Sequence, residues 1–315
     1  MKNVLTLIIC LFLPVSIHAQ MGKYFNTDRQ LSSSYVTQVY IDRDGYLWAT
    51  TRDGINRYDG YQFRVFKREN EQDNTLASNY VNAIMQDRRG LFYFGMYGAL
   101  QTWDGKEFHN VEMRDLKGQP GQCYANCFLE RKNGDVLAGT SGLGVMKFSN
   151  ERTAEQVGGE LADIHTVNFM IEDRQQRLWI TTDGQGLVCY DGKRVRRYLT
   201  ERSGLRLTSL CEDSNGIIFV GTATGGVYRL WGETFVHIDK TGNKAISALY
   251  CDNRGLIIIG YDGMGIGVYD PRTGNLNDNP FFSREVDLAK SKVYSIIGDD
   301  SGNLWFGLLQ KGIYK

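Results

Sequence analysis

Tyr35, Tyr80 and Tyr124 each stand at the head of a short apolar stretch, and the equivalent places further along hold Thr166, Arg206, Ala245 and Lys292. Two residues after each come Thr37, Asn82, Asn126, Asn168, Thr208, Ser247 and Tyr294. The first column mixes aromatic rings with cations, and the second is almost entirely small and polar. Sugars want such groups: flat apolar faces to stack on, with amide and hydroxyl partners for their OH groups. The same residues also suit hydrogen bonding at strand starts and packing between repeats, so residue type alone leaves both readings open. The candidate ligand contacts are therefore Tyr35, Tyr80, Tyr124, Arg206, Lys292, Asn82, Asn126 and Asn168. Arg52, Asp53, Asp183, Gln185 and Asp262 are further candidates, from loops that would share the same mouth.

Other chemistry finds little support. No Gly-x-x-x-x-Gly-Lys phosphate loop, His-Glu-x-x-His or Gly-x-Ser-x-Gly occurs. Gly263-Met264-Gly265-Ile266-Gly267 is glycine-rich, but the dinucleotide fingerprint fails at Val268 and no helix follows. Asp42-Arg43-Asp44-Gly45 has the start of a calcium loop, yet no Glu closes the ligand set. Cys123 and Cys127 would suit a metal only with other converging ligands, and His109, His165 and His237 lie far from them in sequence. Beyond Cys10, the cysteines are Cys123, Cys127, Cys189, Cys211 and Cys251, an odd set that cannot pair fully, so free thiols are expected. No catalytic residue, metal or cofactor is expected. Lys+Arg total 36 and Asp+Glu 36, so the chain lacks the basic field that binding to nucleic acid requires.

A repeat must do the positioning. Seven times the chain runs through an apolar strand, Asp-x-x-Gly, a second apolar strand, then Gly-apolar-x-x-aromatic. The turn positions are Gly45, Gly90, Gly134, Gln176, Gly216, Gly255 and Gly302, spaced from 39 (Gly216 to Gly255) to 47 residues (Gly255 to Gly302). Before the turn, both Val39, Ile84, Phe128, Met170, Leu210, Leu249 and Ile296 and the column after them are apolar. Neighbouring residues of a strand face opposite sides, so these strands are apolar on both faces. Short strands buried on both faces fit sheets stacked around an axis. The expected fold is an all-β, seven-bladed β-propeller with four antiparallel strands per blade. Asp59-Gly60, Asp104-Gly105 and Asp191-Gly192 read as hairpins into the outer strands. Gln176 in place of glycine predicts a different or mildly strained turn. Trp48, Trp179 and Trp305 recur at one repeat position, which predicts packing.

The chain ends carry their own expectations. Met1-Lys2-Asn3 followed by an apolar run from Val4 to Ile17, with Ala19 at a cut, predicts a secretory signal over 1–19 and a mature start near Gln20. The run is shorter than the ~20 apolar residues of a spanning helix, and no later stretch is apolar enough to span. Residues 20–315 then form one propeller. The seventh repeat stops at Gly312-Ile313-Tyr314-Lys315, before any outer strand, while Lys23-Tyr24-Phe25 precedes the first repeat in an outer strand's place. The N-terminal strand is expected to complete blade 7 and close the ring. The abrupt end also suggests the first propeller of a longer sensor. The connection 271–292, with Phe281-Phe282, is the longest and is expected to cap the mouth or meet a partner.

The phrase Asp-x-x-Gly-x-Leu-Trp-x-x-Thr-x-x-Gly-[Leu/Ile]-x-x-Tyr-Asp-Gly, best copied at Asp42 to Gly60 and Asp173 to Gly192, resembles the two-component regulator propeller repeat. Leu31-Ser32-Ser33-Ser34-Tyr35-Val36 resembles that family's lead-in. The resemblance implies the periplasmic sensor region of hybrid two-component histidine kinases, often glycan-responsive, in which kinase, receiver and DNA-binding parts follow elsewhere in the chain. Sialidase Asp-boxes differ, with Asp and Gly two apart rather than three. The expectation is a non-catalytic, periplasmic or secreted sensing propeller with an oligosaccharide ligand. A second propeller or a homodimer partner is expected, and no nucleic acid. The alternatives are a lyase- or quinoprotein-like propeller enzyme, for which His165 is the one histidine ahead of an inner strand, and a protein-interaction scaffold.

Overall fold

Strands apolar on both faces need a sheet on either side, and the chain meets that need by standing seven sheets face to face around one axis. The computed structural model describes residues 22–69, 74–201, 204–281 and 283–315. The expected signal segment 1–19, with Cys10, Gln20 and Phe282, lies outside the described residues. Blade 1 is an antiparallel meander of Val36–Ile41, Leu47–Thr51, Gly54–Tyr58 and Phe63–Phe66, from axis to rim. The inner strands of blades 2 to 7 are Val81–Gln86, Tyr124–Glu130, Val167–Glu172, Leu207–Glu212, Ile246–Cys251 and Val293–Gly298. Each inner strand lies beside the next, and the last lies beside the first. Among the described residues, helix is limited to four three-residue 3-10 turns. Blade 3 carries a fifth strand, Glu112–Arg114, parallel to the outer Thr153–Gln156. The long connection from blade 2 buries Val111 and Met113 and lays this strand along the blade's edge.

The ring closes as expected. Tyr24–Phe25 pairs antiparallel with Gly312–Tyr314, Tyr24 opposite Tyr314 and Phe25 opposite Ile313. Lys23 and Lys315 exchange backbone bonds of 3.1 and 2.8 Å. Phe25 then packs on Trp305 of blade 7 and on Tyr58 and Phe63 of blade 1. One short strand from the start of the chain thus joins the two blades that would otherwise gape.

The turn aspartates hold both backbone and tryptophan. Asp42 Oδ1 accepts from the amides of Asp44 and Tyr46, while its Oδ2 accepts from the Trp48 indole at 2.6 Å. The same pair recurs at Asp173 with Trp179 (2.8 Å) and Asp299 with Trp305 (3.0 Å). All three indoles are buried, so the tryptophan column is packing, as its periodicity predicts. Gln176 keeps the hydrogen bonds of the glycine turns but at φ +63, in the left-handed region that costs a residue with a Cβ.

Glycine also sets the spacing between blades. A Cβ on Gly260 would meet the Cβ and Cγ1 of Val293 on the next inner strand at 2.9 Å. The 271–292 connection does not cap the mouth. Phe281 packs on Phe306 (5.6 Å), and Val286 and Leu288 are buried beside Ile258, Val293 and Phe306, because this segment fills the wedge between blades 6 and 7. Arg29 pairs with Glu285 at 2.9 Å and pins it to the N-terminal segment.

Candidate functional site

Every inner strand enters the ring through a β-bulge, and the bulged residues are Thr37, Asn82, Asn126, Asn168, Thr208, Ser247 and Tyr294. An extra residue in one strand re-aims its side chain. Here it aims across to the neighbouring blade. Thr37 Oγ1 donates to the Val81 carbonyl (2.6 Å), Asn126 Nδ2 to Val167 (2.8 Å) and Asn168 Nδ2 to Leu207 (2.8 Å). Thr208 Oγ1 donates to Ile246 (2.8 Å) and Ser247 Oγ to Val293 (2.5 Å). These five residues staple blade to blade, which is the inter-repeat use that their types allow. Two positions depart from the pattern. Among the described residues Asn82 has no side-chain hydrogen bond, and Tyr294 turns its ring toward Tyr35 instead.

The column ahead of the bulge behaves differently, because its side chains stand at the mouth. Tyr294 and Tyr35 lie 6.1 Å apart between ring centroids. The Arg52 guanidinium carbon sits 3.4 Å from the centre of the Tyr35 ring and 5.2 Å from that of Tyr80. Its Nη2 donates to the Tyr35 hydroxyl at 2.6 Å. Tyr80 stacks on Tyr97 within 13° at 6.4 Å, and Tyr97 meets Tyr124 edge-on at 4.7 Å. Lys292 Nζ lies 5.1 Å from the centre of the Tyr294 ring and 2.7 Å from Asp262 Oδ2. Tyr35, Tyr80, Tyr124, Lys292 and Arg52 therefore join Tyr294 and Tyr97 in one aromatic arc across blades 7, 1, 2 and 3. Burial and the neighbouring Tyr294 hold the Tyr35 hydroxyl above the usual tyrosine range, and the bond with Tyr97 does the same for Tyr124.

Arg206 and Asp183 do not join the arc. They project from blades 5 and 4, both exposed, and among the described residues neither side chain is paired. Sequence reasoning missed Tyr97, which is 60% exposed and bridges two of the predicted tyrosines. A signal for it existed. The amides of Arg52, Tyr97, Asp183 and Asp262 each donate to the carbonyl of their own blade's pre-strand residue, so the four occupy one column. That column varies in type, and only the ring geometry singles out the tyrosine.

Elsewhere the chemistry is inert. Cys123, Cys127, Cys189 and Cys211 are buried free thiols and Cys251 is half-buried. Burial pushes Cys127 up to about 12 and Cys123 and Cys189 to about 11, so none is a thiolate at neutral pH. Among the described residues no His/Cys/Asp/Glu group is placed to hold a metal. A 260 Å³ cleft between the turns of blades 6 and 7 is lined by Asp252, Arg254, Asp299 and Asn303, but these already bond one another within each turn. His109 is buried, His237 bonds the Gly242 carbonyl, and His165 is exposed. No helix among the described residues is long and apolar enough to cross a membrane.

The two component regulator propeller family matches this chain at residues 30–53, across the lead-in, the first turn and the first tryptophan of blade 1. Histidine kinase P4 of Formosa agariphila is 37% identical over 81 residues, 24% of this chain and 6% of that protein. Among solved structures, the extracellular domain of the putative hybrid two component system BT3049 from B. thetaiotaomicron superposes with a TM-score of 0.77 at 17% identity. That match covers 93% of this chain and 41% of that one, so the chain spans less than half the length of both relatives. A streptogramin B lyase shares the ring too, with a TM-score of 0.71 at 14% identity over 93% of this chain and 96% of that one.

Proposed function

We propose that this seven-bladed ring, built on the two-component regulator propeller repeat, is a non-catalytic sensing module that binds a carbohydrate at the mouth lined by Tyr294, Tyr35, Tyr80, Tyr97 and Tyr124. The carrying observation is the continuity of the arc, with Tyr294 against Tyr35, and with Tyr80, Tyr97 and Tyr124 in series, each pair within 6.4 Å. The Arg52 guanidinium joins Tyr35 to Tyr80, and Tyr97 and Tyr124 are open to solvent. Flat, partly exposed rings in a row offer stacking platforms to successive sugars, and Asn82, two residues after Tyr80, has an amide unpaired among the described residues. The reading places the protein outside the cytoplasm, with residues 1–19 as a cleaved signal, and treats residues 20–315 as one propeller, the first in a longer sensor. A second propeller or a second copy of the chain would then carry the signal onward.

The test is calorimetry of the mature chain against a panel of plant, algal and host oligosaccharides, with Tyr80→Ala and Tyr97→Ala beside the parent. Each substitution should weaken a bound oligosaccharide about tenfold while the far-ultraviolet spectrum and melting temperature stay near the parent's. The competing reading is a lyase on the same kind of ring, with His165 as base. Substrate turnover abolished in His165→Ala, with no sugar bound by the parent, would sink the sensing proposal.

A further inference from the structure

Arg52 is an unusual way to furnish the mouth if the ligand is neutral. Its guanidinium lies against the Tyr35 ring, with the Tyr80 ring 5.2 Å away, and what bonding the protein supplies comes from the hydroxyls of those two tyrosines. The stacked plane holds the fork in one orientation while its charge stays solvent-exposed. Among the described residues no carboxylate answers that charge. The adjacent Asp53 is drawn away by Lys67 at 2.5 Å and by the Asn79 amide. The arc's other cation, Lys292, is already neutralised by Asp262 at 2.7 Å. Among the described residues Arg52 is thus the one uncompensated cation on the aromatic arc, and it stands between Tyr35 and Tyr80 at the arc's middle. The zero net charge of the chain does not oppose this, because exposed charges act over only about 8 Å at physiological salt.

Resting on the carbohydrate reading of this mouth, we infer that the ligand is an acidic oligosaccharide, with an anionic oxygen group on one sugar received by Arg52 while its neighbours stack on Tyr80 and Tyr97. A guanidinium fork matches a planar carboxylate through two parallel bonds and also binds a sulfate ester, so the shared chemistry is an oxyanion. Asn82, on the strand Val81–Gln86 that follows Tyr80, is unpaired among the described residues and can hold a hydroxyl of the same sugar.

The experiment uses the mature chain and calorimetry with oligomers of polygalacturonate and alginate, each also in carboxyl-reduced form, and of carrageenan, also desulfated. At least one acidic oligomer should bind about ten- to a hundredfold more tightly than its neutralised counterpart. The pair that shows the difference tells carboxylate from sulfate. Arg52→Gln should erase the difference by weakening the acidic oligomer far more than its neutralised counterpart. Arg52→Lys should keep part of it, since lysine supplies the charge but not the fork. Tyr80→Ala should weaken both members of the pair alike. Equal binding of the two members, or equal weakening of both by Arg52→Gln, would overturn the acidic-ligand inference and leave the carbohydrate reading standing. No binding by any oligomer, neutral ones included, would overturn both.

Discussion

Asp173 and Asp213 occupy the same turn position in neighbouring blades but carry different loads, and replacing each by alanine should expose the difference. Both are buried, at 1% and 2% exposure. Asp213 Oδ1 accepts from the amides of Asn215 and Ile217, at 2.8 and 2.9 Å. Asp173 makes the equivalent pair with Gln175 and Arg177 and adds two bonds through Oδ2, from the Trp179 indole at 2.8 Å and from Arg177 Nε at 2.6 Å. Blade 5 has Phe219 where blade 4 has Trp179, so no indole depends on Asp213. The lost turn amides cancel between the two variants. What remains is a fully buried indole N–H left without an acceptor, about 1–3 kcal/mol, plus a partly exposed ion pair worth under about 1 kcal/mol. At about 2 °C per kcal/mol in a chain of this size, Asp173→Ala should melt about 2–8 °C below Asp213→Ala. Circular dichroism melts at neutral pH read the difference. In Asp173→Ala combined with Trp179→Phe the orphaned donor is gone, so the double variant should lose less than the sum of the singles. Equal melting temperatures for the two aspartate variants, or strict additivity in the double variant, would refute the claim that the turn aspartate anchors the tryptophan.

The other expectations are simpler. Gln176→Gly removes a left-handed side chain at φ +63 and should raise stability by up to about 1 kcal/mol in a denaturant titration. Gly260→Ala must push against Val293 and should cost about 1–3 kcal/mol, read as a lower denaturant midpoint. Phe25→Ala removes the wedge between Trp305, Tyr58 and Phe63 that secures the closing strand, and should cost about 3 kcal/mol with early proteolysis of the N-terminal segment. Burial raises Asp299, but bonds from Asn303 and Trp305 outweigh it and hold its carboxyl below the usual range. Its stabilisation is therefore present above about pH 4 and lost as pH falls through the lower folded value, so Asp299→Asn should flatten the acid side of the stability profile.

The blades were legible because each position recurs seven times, so an apolar column such as Val39, Ile84, Phe128 and Met170 averages out individual substitutions. Closure was legible for the same reason: Lys23-Tyr24-Phe25 filled a place in a column whose last member was missing. The bulge was not legible. Strict alternation sends Thr37 and Asn126 to the same side as Tyr35 and Tyr124, toward the mouth, whereas the bulge rotates these two onto the next blade. No residue type marks this, since threonine, asparagine and serine serve a staple or a sugar equally well. The fifth strand of blade 3 escaped as well, because it has no counterpart in the other repeats, and a lone Glu112-Met113-Arg114 resembles any loop.

A repeat that serves structure seven times over makes its exceptions informative. Among the described residues the inter-blade staple at the bulge position runs from blades 1, 3, 4, 5 and 6 and is absent from blades 2 and 7, the two blades that flank Arg52. Tyr294 has exchanged a small donor for a ring that extends the arc, and Asn82 keeps the same amide as Asn126 and Asn168 without spending it on a neighbour. Arg206 and Asp183, on the far side of the mouth, sit among intact staples, and among the described residues their side chains are unpaired. If the arc were mere packing, staples should be lost at random with respect to it. Their loss on both sides of blade 1 argues that the bulge position there serves the mouth, while the neighbouring inner-strand positions keep the blades joined, Ser295 bonding the Val39 backbone and Gln38 the Ile84 amide. Asn82→Ala and Asn168→Ala separate the two uses. The first should cost binding of the oligosaccharide with little change in melting temperature, and the second should cost about 1 kcal/mol of stability with affinity unchanged. The reverse pattern would assign the mouth to blades 4 and 5 and undo the sector argument.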